Sequence, residues 1–213
     1  MKDTNRILVK DLENYSSVSC LPDGLKIEID DNSFNNIVRF SNTASFSNVV
    51  IKIRSSNCNV FIGDNCNLNN VHVDIRSGDS QELVIRNNNI FWGAFISLRD
   101  NSKLYIDDSG LFSTGLKILT TDGHTIFDKF TKEVINQGHD FLCIKSHVWV
   151  GCDCILLKYA SIDKDSVIAA GSVVTHNFLG KTNVIIGGNP AKLIKENINW
   201  DRDSIPEYLA KNN

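Results

Sequence analysis

The second half of the chain repeats its hydrophobic positions with a period of six. From residue 144 onward every sixth residue is aliphatic, at Ile144, Val150, Leu156, Ile162, Ile168 and Val174. Four residues after each of the first five comes a small or medium side chain, at Val148, Cys154, Ala160, Ser166 and Ser172. An α-helix has a period of 3.6 and a strand a period of 2, so neither accounts for this stride.

A stride of six predicts a coil with flat faces, each about six residues long and each pointing one aliphatic side chain inward. Three such faces make a coil of about 18 residues, and stacked coils form a triangular prism whose core grows along its axis. The pattern therefore predicts an all-β protein, a parallel β-helix with regular hexapeptide coils over residues 144–190. A sandwich of short strands fits this part of the chain badly.

Upstream the same stride appears only in pieces. These pieces are Ile62 to Leu68, Val84 to Ile90 to Ile96, and Ile106 to Phe112 to Ile118. Residues 25–29 and 49–53 alternate as ordinary strands do, and asparagine clusters separate the pieces. We expect less regular coils over residues 25–118 with Asn-rich corners, although a conventional sandwich fits residues 20–120 nearly as well.

Two segments depart from the repeat. The stride disappears between residues 119 and 143, which predicts an extruded loop; in it Asp122-Gly123 marks a tight turn directly before His124. The pattern changes again in the tail, residues 191–213. There Ser204 and Glu207 have capping-box spacing with Pro206 in the first turn, which predicts a short helix near 205–211. We expect one domain, residues 1–213.

Composition narrows the class further. The 213 residues include 25 Asn, 24 Ile and 16 Val, which favours a β protein rich in turns. The net charge of −3, without a basic stripe, gives no reason to expect nucleic acid. No apolar run approaches the ~20 residues of a membrane span. The N-terminus shows no secretory signal, so we expect a cytoplasmic protein with six reduced cysteines.

Several motifs resemble those of the hexapeptide-repeat acetyltransferases. They are HVWVG (147–151), AAGSVV (169–174) and GGNPAKLIKENI (187–198). The loop TDGHTIFD (121–128), followed by Ile135-Asn136, is similar to that of bacterial O-acetyltransferases of capsular and other surface polysaccharides, including sialic-acid polymers. The resemblance covers about residues 118–202. It implies a left-handed β-helix, a homotrimer with active sites between subunits, acetyl-CoA as co-substrate and a polysaccharide or oligosaccharide acceptor.

His124 is the candidate catalytic residue. Acetyl transfer to a sugar hydroxyl needs a base near neutral pH, and imidazole is the usual one. By resemblance, His124 matches the catalytic histidine of the family. Asp128 and Glu133 are near enough in sequence to orient its ring, but a backbone carbonyl would serve equally well.

Trp149 is the second candidate for the catalytic site. It lies between the inward positions Val148 and Val150, so it points outward and needs cover. A trimer neighbour, the 119–143 loop or a ligand could supply that cover. The resemblance matches Trp149 to a tryptophan that lines the family's active site, whereas the role of His147 stays open.

The cofactor side of the site is expected along the outside of the C-terminal coils, where an extended pantetheine arm can hydrogen-bond to coil backbone. The family positions fall on Gly151, Cys152, Ala170, Thr175, Lys192 and Lys195. The two lysines suit the nucleotide phosphates as point charges. No metal is expected, because Cys152-x-Cys154 lacks a second cysteine pair.

Other functions stay open. An N-acetyltransferase acting on an aminosugar nucleotide belongs to the same superfamily, and the loop before HVWVG favours the O-acetylating branch. A zinc enzyme on the same prism would need three converging histidines, which His124, His139, His147 and His176 do not provide by spacing. A non-catalytic binding β-helix would show outward Thr ladders, and Thr is scattered here. The polymer and the hydroxyl that is acetylated are beyond the sequence.

Overall fold

The regular secondary structure of the chain consists almost entirely of short strands. A computed structural model describes residues 4–12, 14–137 and 141–212. In chain order its elements are β1 (Arg6–Asp11), β2 (Asn14–Ser17), β3 (Leu25–Ile29), β4 (Ile37–Ser41), β5 (Ser45–Ser47), β6 (Val49–Ser56), β7 (Asn59–Ile62), β8 (Asn67–Asn69), β9 (Val71–Asp79), β10 (Glu82–Ile85), β11 (Ile90–Phe91), β12 (Ala94–Leu98), β13 (Lys103–Ile106), β14 (Leu111–Phe112), β15 (Leu116–Leu119), β16 (Phe141–Ile144), β17 (Trp149–Val150), β18 (Ile155–Leu156), β19 (Val167–Ile168), β20 (Val173–Val174), β21 (Ile185–Gly188), β22 (Ala191–Lys195) and α1 (Ile205–Asn212).

The strands form three sheets, which are the faces of a prism. Face A has the order β16-β13-β10-β7-β4-β1-β2, face B β20-β18-β15-β12-β9-β6-β3, and face C β22-β21-β19-β17-β14-β11-β8-β5. Within the described ranges, ladder neighbours are parallel except in the end pairs β1–β2 and β21–β22. The chain passes through faces A, C and B in turn. The predicted fold class, a left-handed parallel β-helix, is confirmed.

Coil length differs between the two halves of the prism. On face B, Ile155 lies beside Val173, so the coil between them has the length that the stride of six predicts. Leu25 lies beside Val49 on the same face, and Ala94 beside Leu116, so these coils are several residues longer. The extra residues lengthen face B, where β6 and β9 have 8 and 9 residues but β18 and β20 have 2 each. Glu82 lies beside Lys103 but Leu25 beside Val49, so the coils of the first half also differ among themselves in length, which agrees with the less regular coils expected there.

The core confirms the C-terminal pattern. All six aliphatic positions of the stride are 0% exposed. Upstream the prediction was wrong at Val84 and Ile90, which are only partly buried, whereas Ile85 and Phe91 are buried. A strand's side chains alternate between its two faces, so the inward positions here lie one residue later than the stride of six predicts.

Many asparagines occupy corners, as predicted, whereas Asn59, Asn67 and Asn69 lie in strands β7 and β8. Asn35 and Asn57 both have φ of 57°, a left-handed conformation that Asn tolerates better than most residues. Their side chains stack along the axis, since the Asn35 amide donates to Asn57 Oδ1 at 2.7 Å and the Asn57 amide donates to Asp79 Oδ1 at 2.9 Å. Corner asparagines thus hydrogen-bond one coil to the next.

The tail forms more structure than the sequence indicated. Helix α1 is confirmed, and its cap is the expected one, with the backbone N–H of Ser204 donating to Glu207 Oε2 at 2.9 Å. Strand β22 was not predicted; it folds back antiparallel to β21. Beyond it, Arg202 donates to the carbonyl oxygen of Asn88 at 2.8 Å and holds the tail against the edge of face C. No helix in the described part of the chain is long and apolar enough to cross a membrane.

Candidate active site

The predicted loop is an insertion into a single coil. Strand β15 ends at Leu119 on face B and β16 begins at Phe141 on face A. The coil from Lys117 to its ladder neighbour Ile155 is about twice as long as the next one, from Ile155 to Val173. The loop therefore leaves the prism at the edge between faces B and A; its residues 138–140 lie outside the described ranges.

Asn136 and Lys158 hold the base of the loop. The Asn136 amide donates to Asp122 Oδ2 at 2.9 Å and to the carbonyl oxygen of His124 at 2.8 Å, and Asn136 Oδ1 accepts from the Ile126 N–H at 2.8 Å. Lys158 forms an ion pair with Asp122 and donates to the Asn136 carbonyl oxygen at 3.2 Å. The backbone at His124 is thus fixed to the rigid coil stack. The sequence had no signal for Lys158, whereas Asn136 stood in the resemblance as part of Ile135-Asn136.

The anchoring carboxylate is held in its charged form. Partial burial by itself would raise the pKa of Asp122, but hydrogen bonds from Lys158 and Asn136 outweigh it, and the pKa is lowered. The ion pair therefore persists at neutral pH.

Asp128 and Glu133 serve the tip of the loop. Asp128 Oδ1 accepts hydrogen bonds from the N–H groups of Thr131 and Phe130, both at 2.8 Å. These bonds lower the pKa of Asp128, and the bond from Thr131 has the largest effect. Glu133 accepts a long hydrogen bond of 3.4 Å from the Thr131 hydroxyl. Both carboxylates stabilise the turn, and among the described residues no hydrogen bond joins either of them to the His124 ring.

His124 and Trp149 lie on opposite sides of one prism. His124 stands at the edge between faces A and B, next to Gly123, which packs against Arg99 at the end of β12. Trp149 lies in β17, on face C, which is opposite that edge. One chain does not bring the two predicted catalytic residues together.

The cover over Trp149 is one that the sequence did not suggest. The ring of Trp200 in the C-terminal tail lies 6.0 Å from the ring of Trp149, which stays 38% exposed. Between the tail and face C lies a cavity of about 610 Å³, lined among others by Trp149, Trp200, Asn199, Asp201 and Tyr208. An aromatic wall with polar groups around it is typical of a ligand site.

His147 anchors this tail. It sits at a corner with φ of 58°, and its Nδ1 lies 3.0 Å from Asp165 Oδ1 on the next coil. Its ring stacks on Trp200 at 4.3 Å. The structure thus gives His147 a structural role.

Three of the six predicted cofactor residues come together at the edge between faces C and B. The Gly171 N–H donates a hydrogen bond of 2.8 Å to the Cys152 carbonyl oxygen. Cys152 and Ala170, the neighbour of Gly171, therefore lie next to each other in adjacent coils. A Cβ added at Gly151 would lie 2.7 Å from the Ala170 nitrogen, so glycine is needed there for coil packing. Cys152 and Ala170 are exposed.

The other three are apart from that edge. Thr175 follows β20 at the far side of face B, where its Oγ1 lies 2.6 Å from His176 Nδ1. Lys192 and Lys195 are exposed on β22, beyond the last coil. Among the described residues no group of three or more His, Cys, Asp and Glu side chains is arranged to hold a metal ion; His139 lies outside them.

The fold and this site define a hexapeptide-type left-handed β-helix protein with an inserted histidine loop. Its relatives include polysialic acid O-acetyltransferases. That of Escherichia coli O1:K1 / APEC is 27% identical over 64% of this chain and 44% of its own length. That of Neisseria meningitidis is 28% identical over 79% of this chain and 76% of its own length. The match thus spans less than half of the Escherichia coli relative.

A solved structure agrees on the fold. The polysialic acid O-acetyltransferase OatWY superposes with a TM-score of 0.72 at 24% identity, over 89% of this chain and 95% of that chain. No family model matches the chain. The resemblance to hexapeptide-repeat acetyltransferases, close to those that act on sialic-acid polymers, is confirmed.

Proposed function

We propose that this protein is an O-acetyltransferase that moves an acetyl group from acetyl-CoA to a sugar hydroxyl of a bacterial surface polysaccharide, in particular a sialic-acid-containing one. The observation that carries the proposal is the histidine loop, inserted into one coil and tied to the prism through Asp122, Asn136 and Lys158. The similarity to two polysialic acid O-acetyltransferases supports the same reaction.

His124 acts in this proposal as general base. Its ring takes the proton from the acceptor hydroxyl while the oxygen attacks the carbonyl carbon of the thioester. The tetrahedral intermediate collapses, the carbon–sulfur bond breaks, and the proton passes from the imidazolium to the leaving thiolate. The products are the O-acetylated sugar and free CoA. The bond from Asn136 to the His124 carbonyl supports this role, because it fixes the backbone that carries the base.

The acetyl-CoA site runs, on this proposal, along the edge between faces C and B. Cys152 and Ala170 are exposed there, and Gly151 lets the neighbouring coils pack closely. Lys192 and Lys195 meet the nucleotide phosphates. Thr175, on the far side of face B, contacts the cofactor only if the groove is shared between chains.

Sharing of the cofactor groove between chains follows from the proposed homotrimer, in which the active sites lie between subunits. An apolar ladder on face C supports it; its members are Ile90, Leu111, Trp149, Val167 and Ile185. The loop also exposes large apolar side chains, with Ile135 66% and Phe130 85% exposed. A neighbouring copy covers both and brings its His124 to the Trp149 of this chain. We place the reaction in the cytoplasm, where acetyl-CoA is available.

The test is acetyl transfer by the purified protein. It is incubated with acetyl-CoA and, separately, with polysialic acid, neutral capsule polymers and an aminosugar nucleotide, and thiol release is followed. We expect release with polysialic acid and an alkali-labile ester in the product. The variant His124→Ala, with unchanged size on gel filtration, is the control. Transfer to the aminosugar alone, giving an alkali-stable amide, would contradict the proposal.

A further inference from the structure

Three arginines stand one above another on the outside of face B. Arg54 lies beside Arg76 in the register of β6 and β9. Arg99 follows Leu98, which lies beside Ile75, so Arg99 is the next rung. The residues before them, Ile53, Ile75 and Leu98, are 0% exposed and point inward, so the arginines point outward. With strands about 4.8 Å apart, the three rungs span about 10 Å.

The arginine ladder, Arg54, Arg76 and Arg99, carries more positive charge than its neighbours neutralise. Asp74 lies on the same strand as Arg76 and forms an ion pair with Arg54 and one of 3.1 Å with Arg76 Nε. Both arginines remain open to solvent, with side-chain exposures of 45% and 39%. Arg99 forms no ion pair with a carboxylate of the described residues. Three cations thus face one anion.

The rest of face B adds to this excess. Its outward positions include Lys26 and Lys52, which share the single carboxylate Glu28, and Lys117. The chain as a whole has a net charge of −3. Face B is therefore net positive on a protein that is acidic overall.

The ladder ends at the histidine loop. A Cβ added at Gly123 would lie 3.0 Å from Arg99 Nη1, so the guanidinium packs against the loop backbone. Gly123 immediately precedes His124. A ligand bound along the ladder would thus reach the proposed base at its upper end.

We propose that the ladder is a subsite for an anionic polysaccharide acceptor, with Arg99 binding a carboxylate next to the reacting sugar and Arg76 and Arg54 binding carboxylates further along the chain. This inference rests on the proposed function and specifies its acceptor. The guanidinium fork matches a carboxylate in two parallel hydrogen bonds, and the rungs repeat at a fixed spacing along the prism. The occupant is a polymer with many carboxylates.

The test compares ladder variants with a control that has the same charge change as Arg99→Ala. Arg99→Ala and the double variant Arg76→Ala/Arg99→Ala remove rungs, whereas Lys103→Ala removes an exposed cation from face A and is the matched control. We expect Arg99→Ala to raise the KM for polysialic acid about three- to tenfold and the double variant to raise it further. The KM for acetyl-CoA stays within about twofold. Lys103→Ala leaves both values near those of the unmodified protein.

Direct binding separates this inference from the proposed function. Affinity electrophoresis in polysialic acid at two salt concentrations, without acetyl-CoA, measures the subsite alone. Weaker binding and a flatter salt dependence in the ladder variants support the subsite, even if no acetyl transfer occurs. Acetylation of polysialic acid with equal KM in ladder and control variants would overturn the subsite and leave the proposed function standing. No binding of polysialic acid by the unmodified protein would also overturn it.

Discussion

The indole N–H of Trp200 donates a hydrogen bond of 2.9 Å to the carbonyl oxygen of His147, and the two rings stack with 9° between their planes. The two residues are 53 positions apart in the chain. Their contact fixes the tail where it forms one wall of the cavity beside Trp149. The tail thus becomes part of the candidate active site.

Replacing Trp200 should release this tail. Trp200→Ala removes the stacking and the hydrogen bond, so the segment from 196 to 212 loses its main attachment to His147. We expect faster tryptic cleavage at Arg202 and little change in the unfolding temperature of the prism. Limited proteolysis followed by mass spectrometry measures the cleavage. Trp92→Ala, at an exposed tryptophan on face C, should leave it unchanged.

Removing the proposed base should abolish most of the activity. His124→Ala is expected to lower kcat by at least about 10²-fold, because general-base assistance is typically worth about 10²–10⁴. Asn136→Ala should lower kcat less, since the imidazole remains but its backbone loses a hydrogen bond. Initial rates of thiol release at saturating substrates measure both. Near-normal turnover of an intact His124→Ala protein would contradict the assignment.

The two lysines of β22 should affect cofactor binding more than chemistry. Lys192→Ala/Lys195→Ala is expected to raise the KM for acetyl-CoA by more than it lowers kcat, because point charges on the phosphates bind substrate and transition state alike. Steady-state kinetics with varied acetyl-CoA gives both numbers. A variant that lost kcat at unchanged KM would place the nucleotide elsewhere.

The six cysteines should divide sharply in their reactivity. Burial raises the pKa of Cys58 and of Cys66 to about 11, so at pH 8 only about one thiol in a thousand is ionised. Cys20 and Cys152 are the two exposed cysteines of the six. We expect iodoacetamide to label only these two in the native protein.

Acetyl-CoA should then protect one of the two. Cys152 lies on the proposed cofactor edge and Cys20 does not, so Cys20 is the internal control. Peptide mapping after labelling with and without acetyl-CoA measures the difference. Equal labelling of Cys152 in both samples would count against the proposed groove.

The anchor of the loop should fail in acid. The pKa of the Asp122 carboxyl is lower in the folded protein than its unfolded value of about 3.9. The charged carboxylate therefore stabilises the loop fully above about pH 3.9, and this stabilisation is lost as the pH falls through the pKa of the folded state. We expect Asp122→Asn to speed proteolysis within the loop at pH 7, and the difference from the unmodified protein to narrow progressively as the pH falls below about 3.9. An acid-stable protease covers the low range. Asp31→Asn, at an exposed carboxylate, should leave the rate of proteolysis within the loop unchanged at neutral and at acid pH.

The predictions from sequence were most accurate where one aliphatic residue marks each face of the prism. The stride from Ile144 to Val174 is unbroken because the three faces of its coils are equally long, so each step of six brings the chain to the next face. Val84 and Ile90 were misplaced by one residue because the longer coils of face B break that count. Alternation alone allows either register of a strand, and only the packing of the neighbouring coils selects one.

Contacts between distant segments lay beyond the sequence. Nothing near Trp200 marks His147 as its partner, and nothing near Lys158 marks Asp122, since each contact depends on how many coils separate the two. His124 was found through its loop motif, but its place opposite Trp149 depends on which prism edge the loop leaves. Local patterns therefore specified the elements and some site residues, whereas the arrangement of the site came from the stacking.

Asn48 and Asn70 occupy equivalent left-handed corners, joined by a 2.9 Å side-chain hydrogen bond. Deleting residues 49–70 would therefore join Asn48 to Val71 with the same local geometry that Asn70 has now. The prism would become shorter by one layer, about 4.8 Å, and would lose Arg54 with that layer. On the ladder proposal, the number of long coils thus acts as a ruler that sets how much of an acceptor polymer the protein can hold.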